Sequence, residues 1–177
     1  MPSTTLVPIT DQTTTGWTNV GGATFSASLD EGIASADDTT SYVHISSGTS
    51  ALQLTVTERP AAFTSAISCD WAARCASVSD AQTHTLELQI FESDGATAIT
   101  DKTTQLLSAS AYTNYSGSFS ITGTNNASSW SGARIHISLA SGYLTQFSLT
   151  AIELNVTYNS SASIPIPVIV HHRKLQG

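Results

Sequence analysis

Residues Thr64–Ser77 read TSAISCDWAARCAS. Ile67, Cys69, Trp71, Ala73 and Cys75 occupy one set of alternate positions, and Ser68, Asp70, Ala72, Arg74 and Ala76 the other. The first set is apolar and holds a tryptophan; the second holds the charges. A period of two over so long a run predicts a strand with one buried and one wet face. Extended, it spans roughly 30–40 Å, enough to cross the middle of a sandwich sheet with Trp71 at the centre of the core.

The rest of the composition suits such a sandwich. The 177 residues are enough for one domain with a proper core. Charged residues are 11% of the chain, against a norm of about 25%. The 27 Ser and 26 Thr must cover the surface instead. Thr favours strands and Ser favours turns, so an all-β protein is expected. The net charge of −7 argues against general nucleic-acid binding. No stretch approaches the run of about 20 apolar residues that spans a membrane. The opening MPSTTLVPITDQTTTG has neither the basic start nor the apolar run of a secretory signal. A protein made and kept in the cytosol before use is therefore expected. Cys69 and Cys75 fall on the same strand face, about 20 Å apart if extended. They are read as two buried thiols that cannot bridge.

Outward from the central strand, the chain divides into three parts. Residues 1–16 read as an extended segment with a short edge strand at Leu6–Ile9. Residues 17–160 hold the strands. Val43 and Ile45, then Leu52, Leu54 and Val56, each share a face. Leu86, Leu88 and Ile90 do the same in His84–Glu92. Asp94-Gly95 is a hairpin signal, which predicts a return strand over Ala96–Asp101. Tyr112–Ile121, Ala133–Leu139 and Ser148–Tyr158 complete the set, with a loop from Gly123 ended by Trp130. Many short strands without a helical period predict a two-sheet antiparallel β-sandwich, with a jelly roll as the expected form. Residues 161–177 differ. Ile164–Val170 is apolar on both faces but carries Pro165 and Pro167, which rules out a central strand. An apolar ribbon with a basic tip suits an arm laid on another subunit, through Ile164, Ile166, Val168, Val170, Arg173 and Lys174. The bland alternative is an edge strand of its own sandwich followed by a frayed tail.

No constellation of catalytic residues emerges. Asp30, Glu31, Asp37 and Asp38 offer oxygens to a hard cation, but their spacing fits no calcium loop. A solvated loop or single helical turn is the reading, and a structural cation the alternative. The histidines His44, His84, His136, His171 and His172 lack metal spacing and are read as surface residues. Asp70, Glu87 and Glu153 fall on outer strand faces, and sequence does not bring two of them across a cleft as glycoside hydrolysis requires. A non-enzymatic protein without cofactors is expected. Tyr112, Tyr115, Trp130 and Tyr143 lie in loops or near strand ends. They could form a flat platform for a sugar, or close the ends of the sandwich. Four Asn-X-Ser/Thr matches, at Asn114, Asn126, Asn155 and Asn159, carry little weight without a secretory signal.

Several stretches together give a resemblance. They are GWTNVGG, LDEGIASADDTTSYVHIS, ISCDWAARC, TLELQIFESDG, NNASSWSGARIHISLASG and LTAIELNVTY. Their layout over residues 17–158 resembles bacteriophage virion β-sandwich proteins of the capsid-decoration and minor structural class. The resemblance implies a structural protein on the outside of a capsid, assembled in the host cytoplasm. It implies partners in the major capsid protein or other virion subunits, and a homo-oligomer, with a trimer favoured. The alternative from a different class is a carbohydrate-binding or adhesin module of a phage tail or cell surface, with a glycan as partner. A minor tail protein is a further variant.

Overall fold

The computed structural model describes residues 1–36, 38, 40–45, 50–78, 84–107, 111–140 and 146–161. Eleven strands occupy them: β1 (Ser3–Leu6), β2 (Pro8–Thr13), β3 (Thr18–Val20), β4 (Tyr42–Ile45), β5 (Leu52–Val56), β6 (Phe63–Val78), β7 (His84–Phe91), β8 (Thr103–Leu107), β9 (Thr113–Phe119), β10 (Arg134–Leu139) and β11 (Gln146–Ser160). All pairings are antiparallel. The first sheet runs β3-β4-β11-β6-β9, with β1 also on β11; the second runs β2-β5-β10-β7-β8. Strands β4 to β11 thus alternate between the sheets as 4-11-6-9 facing 5-10-7-8. This is the wrapped order of a jelly roll, to which the first three strands are added. Among the described residues no helix is long and apolar enough to cross a membrane.

The long strand read from TSAISCDWAARCAS is β6, held between β11 and β9. Cys69, Trp71, Ala73 and Cys75 are buried, while Asp70 is exposed and Arg74 partly so; Ile67, read on the buried face, is instead exposed and Ala66 is buried, because the register of β6 against β11 shifts there. The cysteines are free and buried, as their spacing predicts. Burial pushes both thiols up, Cys75 to about 12. Three tryptophans fill three levels of the sandwich. Trp17 meets Phe147 edge-on at 6.0 Å near one end. Trp71 lies over Gly117 in the middle. Trp130 packs beside Phe63, which stacks on Tyr158, at the other end.

Two expectations are corrected. Residues 1–16 are not a separate segment: β1 and β2 sit in opposite sheets, and Leu6 is buried. At Val7, between the buried Leu6 and Pro8, the backbone crosses from one layer to the other. The return strand over Ala96–Asp101 does not form. A tight turn follows β7 and the chain does run back antiparallel, with the Glu92 N–H on the Thr97 carbonyl and the Ile99 N–H on the Ile90 carbonyl, but as the isolated bridges Phe91–Ala98 and Thr100–Ile121 and not as a strand. The chain leaves the sheet because Ile99 is needed in the core and the Thr100 hydroxyl accepts the Ile90 N–H. The described residues of Leu29–Asp38 take the loop alternative, with one turn in which the Ser35 N–H donates to the Gly32 carbonyl; the 3-10 turn among the described residues is Ser26–Ser28. Its first N–H groups, from Phe25 and Ser26, donate to the Asp11 carboxylate of β2 at 2.9 and 2.8 Å.

Candidate functional site

The residues of β5, β10 and β7 alternate strictly between inside and outside. Leu52, Leu54, Val56, Ile135, Ile137, Leu139, Leu86, Leu88 and Ile90 go to the core. The pleat then puts Gln53, Thr55, Arg134, His136, Ser138, Glu87, Gln89 and Phe91 on one outer face. Register aligns them in rows across the sheet: Thr55–Arg134–Phe91, Gln53–His136–Gln89 and Ser138–Glu87.

At the centre of this face is a hollow of about 160 Å³. Glu87, Gln89, Phe91, Lys102, His136 and Ser138 line it, with Leu88 beneath. The Phe91 and His136 rings meet edge to face at 5.2 Å. Gln53 Nε2 and His136 Nε2 are 3.4 Å apart. Glu87 Oε2 accepts from Lys102 Nζ at 2.9 Å and from Ser138 Oγ at 3.2 Å. Gln89 Nε2 donates to the Thr100 carbonyl at 2.9 Å, which leaves its Oε1 toward the face. Burial, then the charge of Lys102, holds the His136 imidazole below its usual pKa. The ring is neutral at neutral pH and presents one donor and one acceptor.

The turn after β7 packs on the same outer face, against Arg134 and Gln53. Asp94 builds that turn: its Oδ1 accepts from the Ala96 and Thr97 amides, both at 2.9 Å, and its Oδ2 from the Thr97 hydroxyl at 2.6 Å. These bonds hold its pKa at about 2. Gly95, at φ +70°, brings the turn against Arg134 and Gln53 so closely that a Cβ would meet both side chains below 3.0 Å. Flat rings, amides, a carboxylate and a lysine around a shallow hollow match a ligand with many hydroxyls and some apolar C–H surface. Nothing in the arrangement singles out a nucleophile or a cleaving pair of carboxylates. Glu87 lies on the opposite sheet from Asp70 and Glu153.

The residues read from sequence as a sugar platform do not assemble into one. Trp130 is 1% exposed, and its indole N–H donates to Asn125 Oδ1 at 3.1 Å. It belongs to the core. Tyr115 packs on the core from β9. Tyr112 is half-buried on the first sheet's outer side, with Ser148 bonded to its hydroxyl and burial raising its pKa. Tyr143 lies outside the described residues, as do Asp37 and the arm Ile164, Ile166, Val168, Val170, Arg173 and Lys174. Asp30 and Glu31 are exposed. Asp38 is committed to Arg74, with two contacts of 2.5 Å. Among the described residues no three His, Cys, Asp or Glu converge as metal ligands. Of the histidines read as surface residues, His84 is buried and His136 is in the hollow. The signal that could have found the hollow is the outward Phe91 in TLELQIF, an aromatic ring on a face otherwise polar.

No protein-family model matches the sequence, and no curated protein does. Solved structures share the fold. The CBM36-1 domain of a multidomain xylanase from the hindgut metagenome of Trinervitermes trinervoides superposes with a TM-score of 0.51 at 14% identity, over 90% of this chain and 100% of that one. An arabinose-bound GH51 α-L-arabinofuranosidase gives 0.50 at 11% identity, over 84% of this chain and 25% of that one. The Agl-KA catalytic domain gives 0.50 at 12%, over 91% and 28%. The chain therefore spans about a quarter of each of these two enzymes. At such identities the likeness is one of fold alone, a β-sandwich.

Proposed function

We propose that this chain is a non-catalytic carbohydrate-binding module that takes a glycan on the outer face of the second sheet. The observation that carries the reading is the hollow in which Phe91 and His136 set two rings at 79° beside Glu87, Gln89 and Lys102. A sugar ring needs an apolar wall for its C–H face and paired donors and acceptors for its hydroxyls. Phe91 supplies the wall. Neutral His136, Gln53 and Gln89 supply both donor and acceptor, and Glu87 with Lys102 supplies charged bonds, which are the stronger kind. The likeness of fold to a binding module supports this reading over capsid decoration. The decoration reading rests on the resemblance over residues 17–158 and on the arm 161–177, whose residues from 162 lie outside the described ones.

The test is a glycan panel followed by titration calorimetry on the best ligand. Phe91→Ala and His136→Ala are expected to weaken binding by roughly tenfold or more each, the usual effect of losing a central ring contact. Tyr112→Ala, on the other sheet, is expected to leave it unchanged. Absence of binding across the panel, or loss with Tyr112→Ala alone, overturns the proposal.

A further inference from the structure

Six Lys and Arg residues stand in the sequence, and Arg59, Arg74, Lys102 and Arg134 are the described ones. Three of these four are engaged. Arg59 donates to the Ala127 and Pro60 carbonyls. Arg74 donates to Asp38 and Asn114. Lys102 donates to Glu87. Arg134 differs: among the described residues it makes neither a hydrogen bond nor an ion pair. The carboxylates of this side of the molecule are already taken. Glu87 accepts from Lys102 and Ser138, Glu58 accepts the Gly132 N–H, and Asp94 accepts from its own turn. Asp94 feels the Arg134 charge, but as the weakest of the influences on its carboxyl. A half-buried guanidinium thus keeps its five N–H donors without a described protein acceptor.

Packing, not a salt bridge, sets its place. Arg134 opens β10 with Thr55 on one side and Phe91 on the other, neither of them charged. The turn after β7 passes so close that a Cβ on Gly95 would stand 3.4 Å from Arg134 Cδ and 2.7 Å from its Nη1. The missing side chain of Gly95 is what leaves room for the guanidinium. An arginine held in this way loses less freedom when it meets a ligand. Its Cβ is about 5 Å from that of Phe91, its direct partner across the ladder. His136 stands two residues further along β10, roughly 7 Å away on the same face.

We infer that Arg134 binds a carboxylate of the glycan, so that the ligand is an acidic sugar chain with a uronic acid beside Phe91. The inference rests on the glycan reading of the hollow and names the class of sugar that the hollow takes. A guanidinium presents two parallel N–H groups, which match the two oxygens of a carboxylate and not the single oxygen of a hydroxyl. A sugar ring laid on Phe91 brings its substituents within reach of Arg134. Neutral His136 and Gln89 take hydroxyls further along the face. Net charge sharpens the choice. A chain of net charge −7 repels an acidic ligand in general. An acidic ligand is then held where a cation stands unpaired, and on this face that cation is Arg134, since Lys102 is neutralised by Glu87.

The test is calorimetry of the full chain with tetrasaccharides of galacturonate, mannuronate and glucuronate, each as the free acid and as its methyl ester. The ester keeps the ring and its hydroxyls and removes only the charge. At least one acid is expected to bind roughly tenfold or more tighter than its ester, the effect of a charged pair of hydrogen bonds. The difference should shrink with added salt. Arg134→Gln is expected to bring the acid down to the affinity of the ester. Arg134→Lys keeps the charge without the fork and should fall between the two. Phe91→Ala should weaken acid and ester alike. Acid and ester bound equally, or neutral glycans bound with no acid preferred, overturn the inference and leave the glycan reading standing. An acid preference that survives Arg134→Gln overturns it as well. Absence of binding to any glycan, acidic or neutral, overturns both.

Discussion

Gly117 shows how one residue on an edge strand depends on its partner across the ladder. It faces Trp71, and a Cβ there would stand 2.9 Å from the indole. Gly117→Ala is therefore expected to destabilise by roughly 1–3 kcal/mol, the cost of overpacking a filled core; urea unfolding measures it. The alternation Tyr115, Gly117, Phe119 is visible in the sequence. That the glycine is there to admit a tryptophan is not, because the contact lies 46 positions away along the chain (117 − 71). Asp94 makes a prediction of opposite character, on the surface and governed by pH. Its carboxyl sits at about 2, below the ordinary 3.8, because the Thr97 hydroxyl and then the Ala96 and Thr97 amides stabilise the anion. A depressed carboxylate pKa adds stability that is complete above the unfolded value and is lost as pH falls through the folded one. The stability difference between the protein and Asp94→Ala is thus expected to be constant above pH about 4 and to vanish toward pH about 2, as followed by thermal melts. A difference that stays constant to the acid end would mean that the turn does not depend on the anion. His136 carries the corresponding prediction for binding. Burial and Lys102 lower its pKa, while Glu87 and Arg134 stand on the same face. Glycan affinity is expected to hold through neutral pH and to fall only as pH drops below the usual imidazole value of about 6.5. In His136→Gln that fall should disappear.

At the scale of elements, the loop from Gly123 to Gly132 does the work of a missing strand. Where β9 stops, the upper edge of β6 would be bare at Ala66. The Asn125 amide fills the gap, accepting the Ala66 N–H at 2.9 Å and donating to its C=O at 2.7 Å. The same Oδ1 accepts the Trp130 indole N–H. One side chain therefore finishes a ladder and positions the ring that closes this end of the core. Asn125→Ala leaves three backbone and indole groups without that partner, and is expected to cost about 2–4 kcal/mol, a few net hydrogen bonds with desolvation. Denaturant midpoints check this, and a loss under about 0.5 kcal/mol would mean that water replaces the amide without penalty. This loop also marks the limit of sequence reading. Strands β5, β7 and β10 alternate so regularly that their faces are legible residue by residue, whereas in β6 the reading holds from Cys69 to Cys75 and fails at Ile67, which is exposed, and at Ala76, which is buried. NNASSWSGA has no period, so nothing local says that Trp130 turns inward. Its direction is set by Asn125, five positions before it but anchored on the distant Ala66, and by the distant Phe63. The hollow was half legible for the same reason. Alternation identifies Glu87, Gln89 and Phe91 as outward on β7, and His136 as outward on β10. That they form one site depends on β7 and β10 being neighbours, which is a matter of sheet order.

Sheet order itself is a property of the whole molecule. The β-sandwich follows from composition and from period two, but the assignment of the first thirteen residues does not. Leu6–Ile9 is too short to choose a partner, and both choices it makes are distant: β1 lies on Leu154–Thr157 and β2 on Gln53–Val56. Between them Val7 is fixed to Thr57, whose N–H donates to the Val7 carbonyl at 2.8 Å and whose hydroxyl accepts the Val7 N–H at 3.2 Å. The segment therefore crosses from one sheet to the other and ties them at a margin where neither is otherwise closed. Leu6, at 2% exposure, and the buried Pro8 lie beneath the crossing. If the segment is a structural tie, Leu6→Ala should cost about 2–4 kcal/mol, as for a leucine removed from a packed core. Removal of residues 1–13 should cost more, because it also frees the edges of β5 and β11. For a chain of this size each 1 kcal/mol moves the midpoint by about 2–4 °C. Calorimetry should then find Tm lowered by roughly 5–15 °C in Leu6→Ala and further in the shortened chain. If the shortened chain melts within about 3 °C of the full one, β1 and β2 are appendages, and the core is the eight-strand jelly roll alone. The two outcomes place the strength of the sandwich differently, in the tie between its layers or in the packing of β4 to β11.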